Sequence, residues 1–304
     1  MKIRIRRQPW AWTASVAAGG TLGQMIPPSG ALIVYGIIAE QSIGTLFTAA
    51  IVPGLTQMAF YILVIWLLIR WRPELGPTSE RASWPERWNS LARIWDMLLL
   101  VAVVISGIAF GWISPSEAAA VGAAGALAIA AIRRRLNFAM LEEAFARTLE
   151  TSGLILLVII GALIFSVFVS ITGLAGAVGE LITGFGLGPL GTLLLIAVFL
   201  LLLGSVLDGL ALMLLTTPIL LPIVSEAGMT AIWFGIFITR AMEIGFVHPP
   251  LGMNLYVIQG VAKDVSIQRI FKGVLPFLVS DFVHLLLLLL FPALVLWLPA
   301  VLGH

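Results

Sequence analysis

The chain has 304 residues, 60% of them hydrophobic and only 11% charged, with a formal net charge of +2 and no cysteine; its mean hydropathy is +1.09. A water-soluble domain of this length does not carry so little charge, and the absence of cysteine excludes a disulfide framework or a thiolate metal site. A near-neutral balance does not point to nucleic acid, so the composition is that of an all-α polytopic protein of the lipid bilayer.

In chain order, a basic start (Lys2–Arg7) leads into apolar sequence that is interrupted by Gly23-Gln24-Met25-Ile26-Pro27-Pro28-Ser29-Gly30. Adjacent prolines remove two backbone donors and clash with the preceding turn, so no helix runs through them. An opened helix survives in hydrocarbon only where protein or a watery cavity supplies partners. The apolar run 54–69 follows, then a basic stretch over Arg70–Arg93. Within it, residues 74–88 mix Pro, Arg, Glu and Trp and predict a loop at the membrane surface. Two further runs, 97–113 and 118–132, are joined by the turn Ser114-Pro115-Ser116-Glu117. A third basic stretch, Arg133–Arg147, puts both basic segments on one side, the cytoplasmic one by the positive-inside rule. Residues 136–149 predict a short amphipathic helix along the interface, and the apolar run 153–171 a span.

In the second half, Asp208 is the only charge between Glu180 and Glu226, within Gly204-Ser205-Val206-Leu207-Asp208-Gly209. Glycines here permit a sharp turn, so the pattern predicts a hairpin near 190–224 that enters the membrane and aims carbonyls, the Ser205 hydroxyl and the Asp208 carboxylate at one point. Such an oxygen cage suits a hard monovalent cation such as sodium. Asp208 fits a helix cap or a ligand equally well. Thr216-Thr217-Pro218 kinks the following helix. Its hydroxyls either bond back to the preceding turn or, with freed carbonyls, reach the cation, and Thr216 is taken as the ligand. Arg240 and Glu243, three apart, are expected to pair with each other. Asp281 and His284 on the last helix are expected to form an edge pair outside the site.

A second interruption, Gly245-Phe246-Val247-His248-Pro249-Pro250-Leu251-Gly252, repeats the first. Beyond it, Ser266-Ile267, Phe271 and Pro276 follow in the order of Ser42-Ile43, Phe47 and Pro53. A whole ordered series of matches indicates an internal duplication, and paired broken helices mark a transporter's binding site. The expected cation ligands are Gly23 and Pro27 in the first copy, and Gly204, Ser205, Asp208, Gly209, Thr216, Gly245 and Pro249 in the second. Ser29, Gly252 and Asn254 are expected to touch substrate. Helix N-termini after each proline pair favour an anionic one. No Walker loop, nucleophile elbow or metalloprotease motif is present, so an enzyme is not expected.

These stretches resemble the large membrane subunit of tripartite ATP-independent periplasmic (TRAP) transporters, the DctM family. The resemblance rests on Gly19–Gly23 with Pro27-Pro28-Ser29, Tyr35–Ile38, Ala50–Gly54, Ser114–Ala120, Leu207-Asp208-Gly209, Pro218–Ile223, Ile232–Gly235, His248–Asn254 and Phe291–Pro299. It implies an elevator-type, ion-transporter-like fold with inverted repeats, a re-entrant hairpin and broken helices. It also implies a sodium-coupled importer of organic acids (C4-dicarboxylates, sialic acid or other sugar and keto acids) in the bacterial inner membrane. The partners implied are a small DctQ-like membrane subunit and a periplasmic substrate-binding protein, with sodium as coupling ion and no organic cofactor. The expected organisation is a first-repeat remnant over 1–53, scaffold helices and cytoplasmic loops over 54–150, and a second repeat over 151–304 whose helix breaks at Pro249-Pro250. By internal symmetry the first copy lacks a hairpin ahead of Gly23, an N-terminal truncation; a fragment that only associates with partner subunits is the alternative. His248 departs from the small hydroxyl or aliphatic residue usual in the family.

Overall fold

The computed structural model describes residues 9–75, 83–248, 252–262 and 265–303, and the regular structure among them is entirely helical. The helices are α1 (Pro9–Met25), α2 (Gly30–Ile38), α3 (Ile43–Trp71), α4 (Trp84–Ala92), α5 (Trp95–Ala109), α6 (Pro115–Ile132) and α7 (Phe138–Thr172), with a 3₁₀ turn at Pro73–Leu75. They continue as α8 (Leu174–Gly184), α9 (Pro189–Gly204), α10 (Gly209–Glu226), α11 (Ala231–Val247), α12 (Met253–Val261), α13 (Ile267–Leu290) and α14 (Ala293–Leu302). Five of them, α3, α6, α7, α10 and α13, are long and apolar enough to cross a bilayer. Two bent pairs, α1 with α2 at 41° and α4 with α5 at 58°, raise the number to seven if each is one span.

The chain divides into two compact units, residues 78–160 and residues 1–77 with 161–304, with the boundary inside α7. In the smaller unit, α4 opens with a capping box. The Ser83 backbone N–H donates to Glu86 Oε2 at 2.7 Å, and Ser83 Oγ accepts from the Glu86 N–H. Part of the stretch expected to be a loop is therefore helix, because Ser83 and Glu86 satisfy donors that a helix start leaves unpaired. Residues 76–82 lie outside the described residues. The segment Ser114–Glu117, expected as a turn, likewise starts α6 with a capping box and Pro115 in the first helical turn. Asp96 in the first turn of α5 and Arg133 at the C-cap of α6 form a bidentate pair at 2.7 Å, each charge opposing its own helix dipole.

The amphipathic segment and the span expected on either side of residue 150 form one 35-residue helix, α7. The sequence between them has no proline, and Gly153 has open space beside it, so nothing stops the helix. Toward the C-terminus the sequence is apolar over residues 277–298, yet there the helix is interrupted. The helix α13 ends at Leu290, and Pro292 opens α14.

In the larger unit the two copies have the same order. A helix breaks (α1, α11), a nine-residue helix follows (α2, α12), and a serine N-cap starts a long helix with an internal proline, Ser42 and Pro53 in α3, Ser266 and Pro276 in α13. Their packing crosses between the copies: α1 and α11 each lie on both α3 and α13. Tyr61 of α3 meets Phe277 of α13 edge-on, ring centroids 5.6 Å apart, with Ala18 of α1 in the same cluster. The two copies also touch through Tyr35 of α2. Its ring occupies the space where Gly235 of α11 lacks a side chain, and its hydroxyl donates to the Ala231 carbonyl at 2.6 Å.

Candidate transport site at the paired helix breaks

At the first break, α1 ends at Met25 and α2 begins at Gly30, with the Pro27–Pro28 bond cis. Ser29, 1% exposed, bridges the two half-helices. Its Oγ donates to the Gln24 carbonyl at the end of α1 and accepts from the Leu32 N–H of α2 at 3.4 Å. This is N-cap chemistry, and it leaves the first N–H groups of α2 pointing into the break. Ile26, within the break, packs onto Gly54 of α3, where an added Cβ would sit 3.1 Å from its side chain. Pro27 is buried, whereas Gly23, one turn back on α1, is exposed and has no atom near its missing side chain.

At the second break, α11 ends at Val247 and α12 begins at Met253, with Gly252 at its N-cap in the left-handed region (φ 49°). That conformation favours glycine, since a side chain there crowds its own backbone. Asn254, partly buried, lies in the first turn of α12. Pro249 lies outside the described residues. His248 stacks edge-on against Phe282, and its Nδ1 is buried without a partner among the described residues.

The α9–α10 hairpin turns at residues 205–208 and presses this tip onto the end of α11. A Cβ on Gly245 would collide with the carbonyl and Cα of Gly204, and one on Gly209 would overlap the side chains of Met242 and Phe246. Only glycine allows backbones to approach so closely. At the tip, Asp208 is exposed and caps α10, Oδ2 accepting from the Leu210 N–H at 3.0 Å. Ser205, buried, donates to the Leu202 carbonyl at 2.7 Å. Further along α10, Thr216 donates back to Leu212 at 2.7 Å. The neighbouring Thr217, 1% exposed, has a hydroxyl with no partner among the described residues. Pro218, which has no N–H, leaves the Leu214 carbonyl without its usual helical donor. The free hydroxyl is therefore that of Thr217 and not of the expected Thr216. No group of three His, Asp or Glu side chains is arranged to share a metal ion among the described residues. The oxygens at the tip are backbone carbonyls, the Ser205 hydroxyl and the Asp208 carboxylate, while Thr216 and Thr217 lie about two turns further along α10.

Just ahead of the second break lies a fully buried ionic cluster. Arg240 donates through Nη1 to Glu243 at 2.8 Å, through Nη2 to Asp281 at 2.5 Å and through Nε to His284 Nδ1 at 3.1 Å. Arginine is always a donor, so His284 carries its own proton on Nε2, which donates to Thr56 Oγ1 at 2.9 Å. Gln57 of α3 donates to Glu243 Oε2 at 3.1 Å. One guanidinium thus links α11 to α13 directly and to α3 through its partners, and fixes the rotation of α11 as it approaches the break. The expected Arg240–Glu243 pair is present. The expectation for Asp281 and His284 is corrected: they are 1% and 0% exposed, and both bind Arg240. Gln57 Oε1, Glu243 Oε1 and Asp281 Oδ2 remain buried without a partner among the described residues.

A multi-pass, all-α membrane chain whose helices open twice, with a glycine hairpin laid on one opening, has the architecture of a membrane transporter subunit. Known proteins narrow the class. A family model described as the tripartite ATP-independent periplasmic transporter, DctM component, matches residues 8–294. The sialic acid TRAP transporter large permease protein SiaM of Vibrio cholerae is 34% identical over 284 residues, covering 93% of this chain and 66% of that protein. The isethionate TRAP transporter permease protein DctMQ of Oleidesulfovibrio alaskensis is 34% identical over 288 residues, 92% of this chain and 44% of that one. The C4-dicarboxylate TRAP transporter large permease protein DctM of Rhodobacter capsulatus is 32% identical over 304 residues, with shares of 95% and 68%. The chain belongs to the DctM family of TRAP transporter large permeases, which are transporters and not enzymes. It spans 66%, 44% and 68% of the lengths of these three relatives.

Proposed function

We propose that the chain serves as the large permease subunit of a sodium-coupled importer of organic acids in the bacterial inner membrane. It works with a small membrane subunit and a periplasmic substrate-binding protein. Sodium is held where the hairpin tip meets the second break, by carbonyls around Gly204, Ser205, Asp208, Gly209 and Gly245, with Thr216 or Thr217 as the hydroxyl further along the α10 side; Pro249, the remaining expected ligand, lies outside the described residues. Gly23 and Pro27 frame the equivalent position in the first copy. The substrate carboxylate is met by Ser29, Gly252 and Asn254, at the positive ends of α2 and α12. The names of the relatives, which include sialic acid and C4-dicarboxylates, support an acidic cargo. The hairpin and both breaks move as one body against a fixed scaffold, an elevator.

The observation that carries this reading is the backbone contact between Gly204 and Gly245, which places a glycine turn against an opened helix. Sodium binding there closes the tip on the break and prepares the substrate side, so cation and anion enter together. The test is reconstitution in liposomes with the small subunit and a binding protein, following uptake of labelled sialic acid and of a C4-dicarboxylate in sodium and in potassium. Uptake of either that ignores sodium overturns the reading. Asp208 is resolved by two variants. Asn keeps the cap and Ala removes it at a cost of about 1 kcal/mol, so a shift in sodium affinity in D208N as well as D208A identifies a ligand, and a shift in D208A alone identifies a cap.

A further inference from the structure

Away from the helix breaks, a cavity of about 320 Å³ opens between α1, α3 and α13. That is the lower end of the size range of small-molecule sites, roughly 300 Å³ upward. Its walls are apolar: Ile65, Leu68 and Ile69 of α3, Leu75 of the 3₁₀ turn, and Pro276 and Phe277 of α13. Gly273 adds no side chain to the α13 wall, which leaves the space open. At its rim stand Arg72 and Lys272, both exposed, and neither forms an ion pair among the described residues.

The same end of the molecule carries the marks of a membrane boundary. Trp66 and Trp71 are 56% and 76% exposed, and Arg70 lies over the Trp66 ring at 6.0 Å. Tryptophans and arginines at the end of a span sit at headgroup level. The end of α3 contributes Arg70 and, at its C-cap, Arg72, and the first turns of α13 contribute Arg269 and Lys272, against the single acid Glu74 of the 3₁₀ turn. A surplus of Lys and Arg marks the cytoplasmic side, whose leaflet surface is anionic.

We propose that this cavity binds an anionic phospholipid. Arg72 and Lys272 hold the phosphate from two sides, and the start of one acyl chain lies along Ile65, Leu68 and Phe277. A soluble anion leaves the apolar walls unused, and a zwitterionic lipid places its own cation against two fixed ones. The bound lipid spans α3 of the first copy and α13 of the second, the two long helices on which both α1 and α11 pack. The site depends on the chain lying in a membrane and not on sodium coupling.

The experiment uses the purified full chain in detergent, titrated with brominated phosphatidylglycerol or brominated phosphatidylcholine. Quenching of Trp71 is read as the difference from a W71F variant. The anionic lipid quenches Trp71 at lower concentration than the zwitterionic one. R72Q and K272Q each reduce that preference about fivefold and together about 25-fold, while R72K/K272R retains it. Equal quenching by the two lipids, or an unchanged preference in R72Q/K272Q, overturns the proposal. Displacement of the anionic lipid by inorganic phosphate at the same concentration also overturns it, since the site then recognises a free anion and not a lipid.

Discussion

An alanine at position 245 puts a methyl group where the backbone of Gly204 already stands. The atoms it meets are a carbonyl and a Cα, not the end of a flexible side chain, so the only relief is for the hairpin tip to move away from α11. Over-packing by one carbon costs about 1–3 kcal/mol. Gly245 lies within α11, so alanine recovers about 0.5–1 kcal/mol of helix propensity. The balance is a net loss of up to about 2.5 kcal/mol. Gly260 on α12 is the internal control, because an added Cβ there meets nothing within 4 Å. G260A is expected to stabilise by up to about 1 kcal/mol. Thermal unfolding of purified protein in detergent measures the first effect, and sodium-dependent uptake in liposomes measures the second. G245A is expected to unfold earlier and to need more sodium, whereas G260A unfolds later. If G245A matches the wild type in both assays, the tip does not rest on the break and the proposed cation position is wrong.

Removal of the guanidinium in R240Q strands two buried carboxylates and is expected to destabilise by about 3–5 kcal/mol, seen as a large drop in the unfolding midpoint. R240K is expected to recover little of this, since a single ammonium cannot reproduce three bonds to Glu243, Asp281 and His284; near-complete recovery contradicts the described geometry. S29A is expected to lose about 1 kcal/mol and to weaken uptake, while S29T keeps the cap. Equal stability of S29A and wild type shows that Ser29 does not join the half-helices.

The helix breaks were legible in the sequence because proline pairs act locally: whatever surrounds Pro27 and Pro28, they cannot donate. The matching order of Ser42, Phe47 and Pro53 with Ser266, Phe271 and Pro276 was legible for the same reason, as caps and kinks need no distant partner. The ionic cluster was not. Its members come from α3, α11 and α13, and spacing along one helix pairs Arg240 with Glu243 but says nothing of Asp281 across the bundle. A signal existed. Gln57 and Asp281 stand in apolar stretches, where a polar side chain needs a reason to be there. The continuous α7 was missed because a change from amphipathic to apolar composition looks like a boundary, although nothing in the backbone chemistry stops the helix there. Thr217 could not be separated from Thr216, since which hydroxyl is left free depends on the neighbours that fold against α10.

The interlocking of the copies has a consequence for how the protein is made. The hydroxyl of Tyr35 finds its acceptor on Ala231, 196 residues later in the chain, an interval that synthesis at roughly 5–20 residues per second crosses in about 10–40 s. For that time the early segment leaves the ribosome without the helices that will brace it, its opened backbone in need of temporary company from the insertion machinery or from lipid headgroups. Assembly is therefore governed by the arrival of the late helices, and a pause or a premature stop in the second copy leaves the first unable to settle.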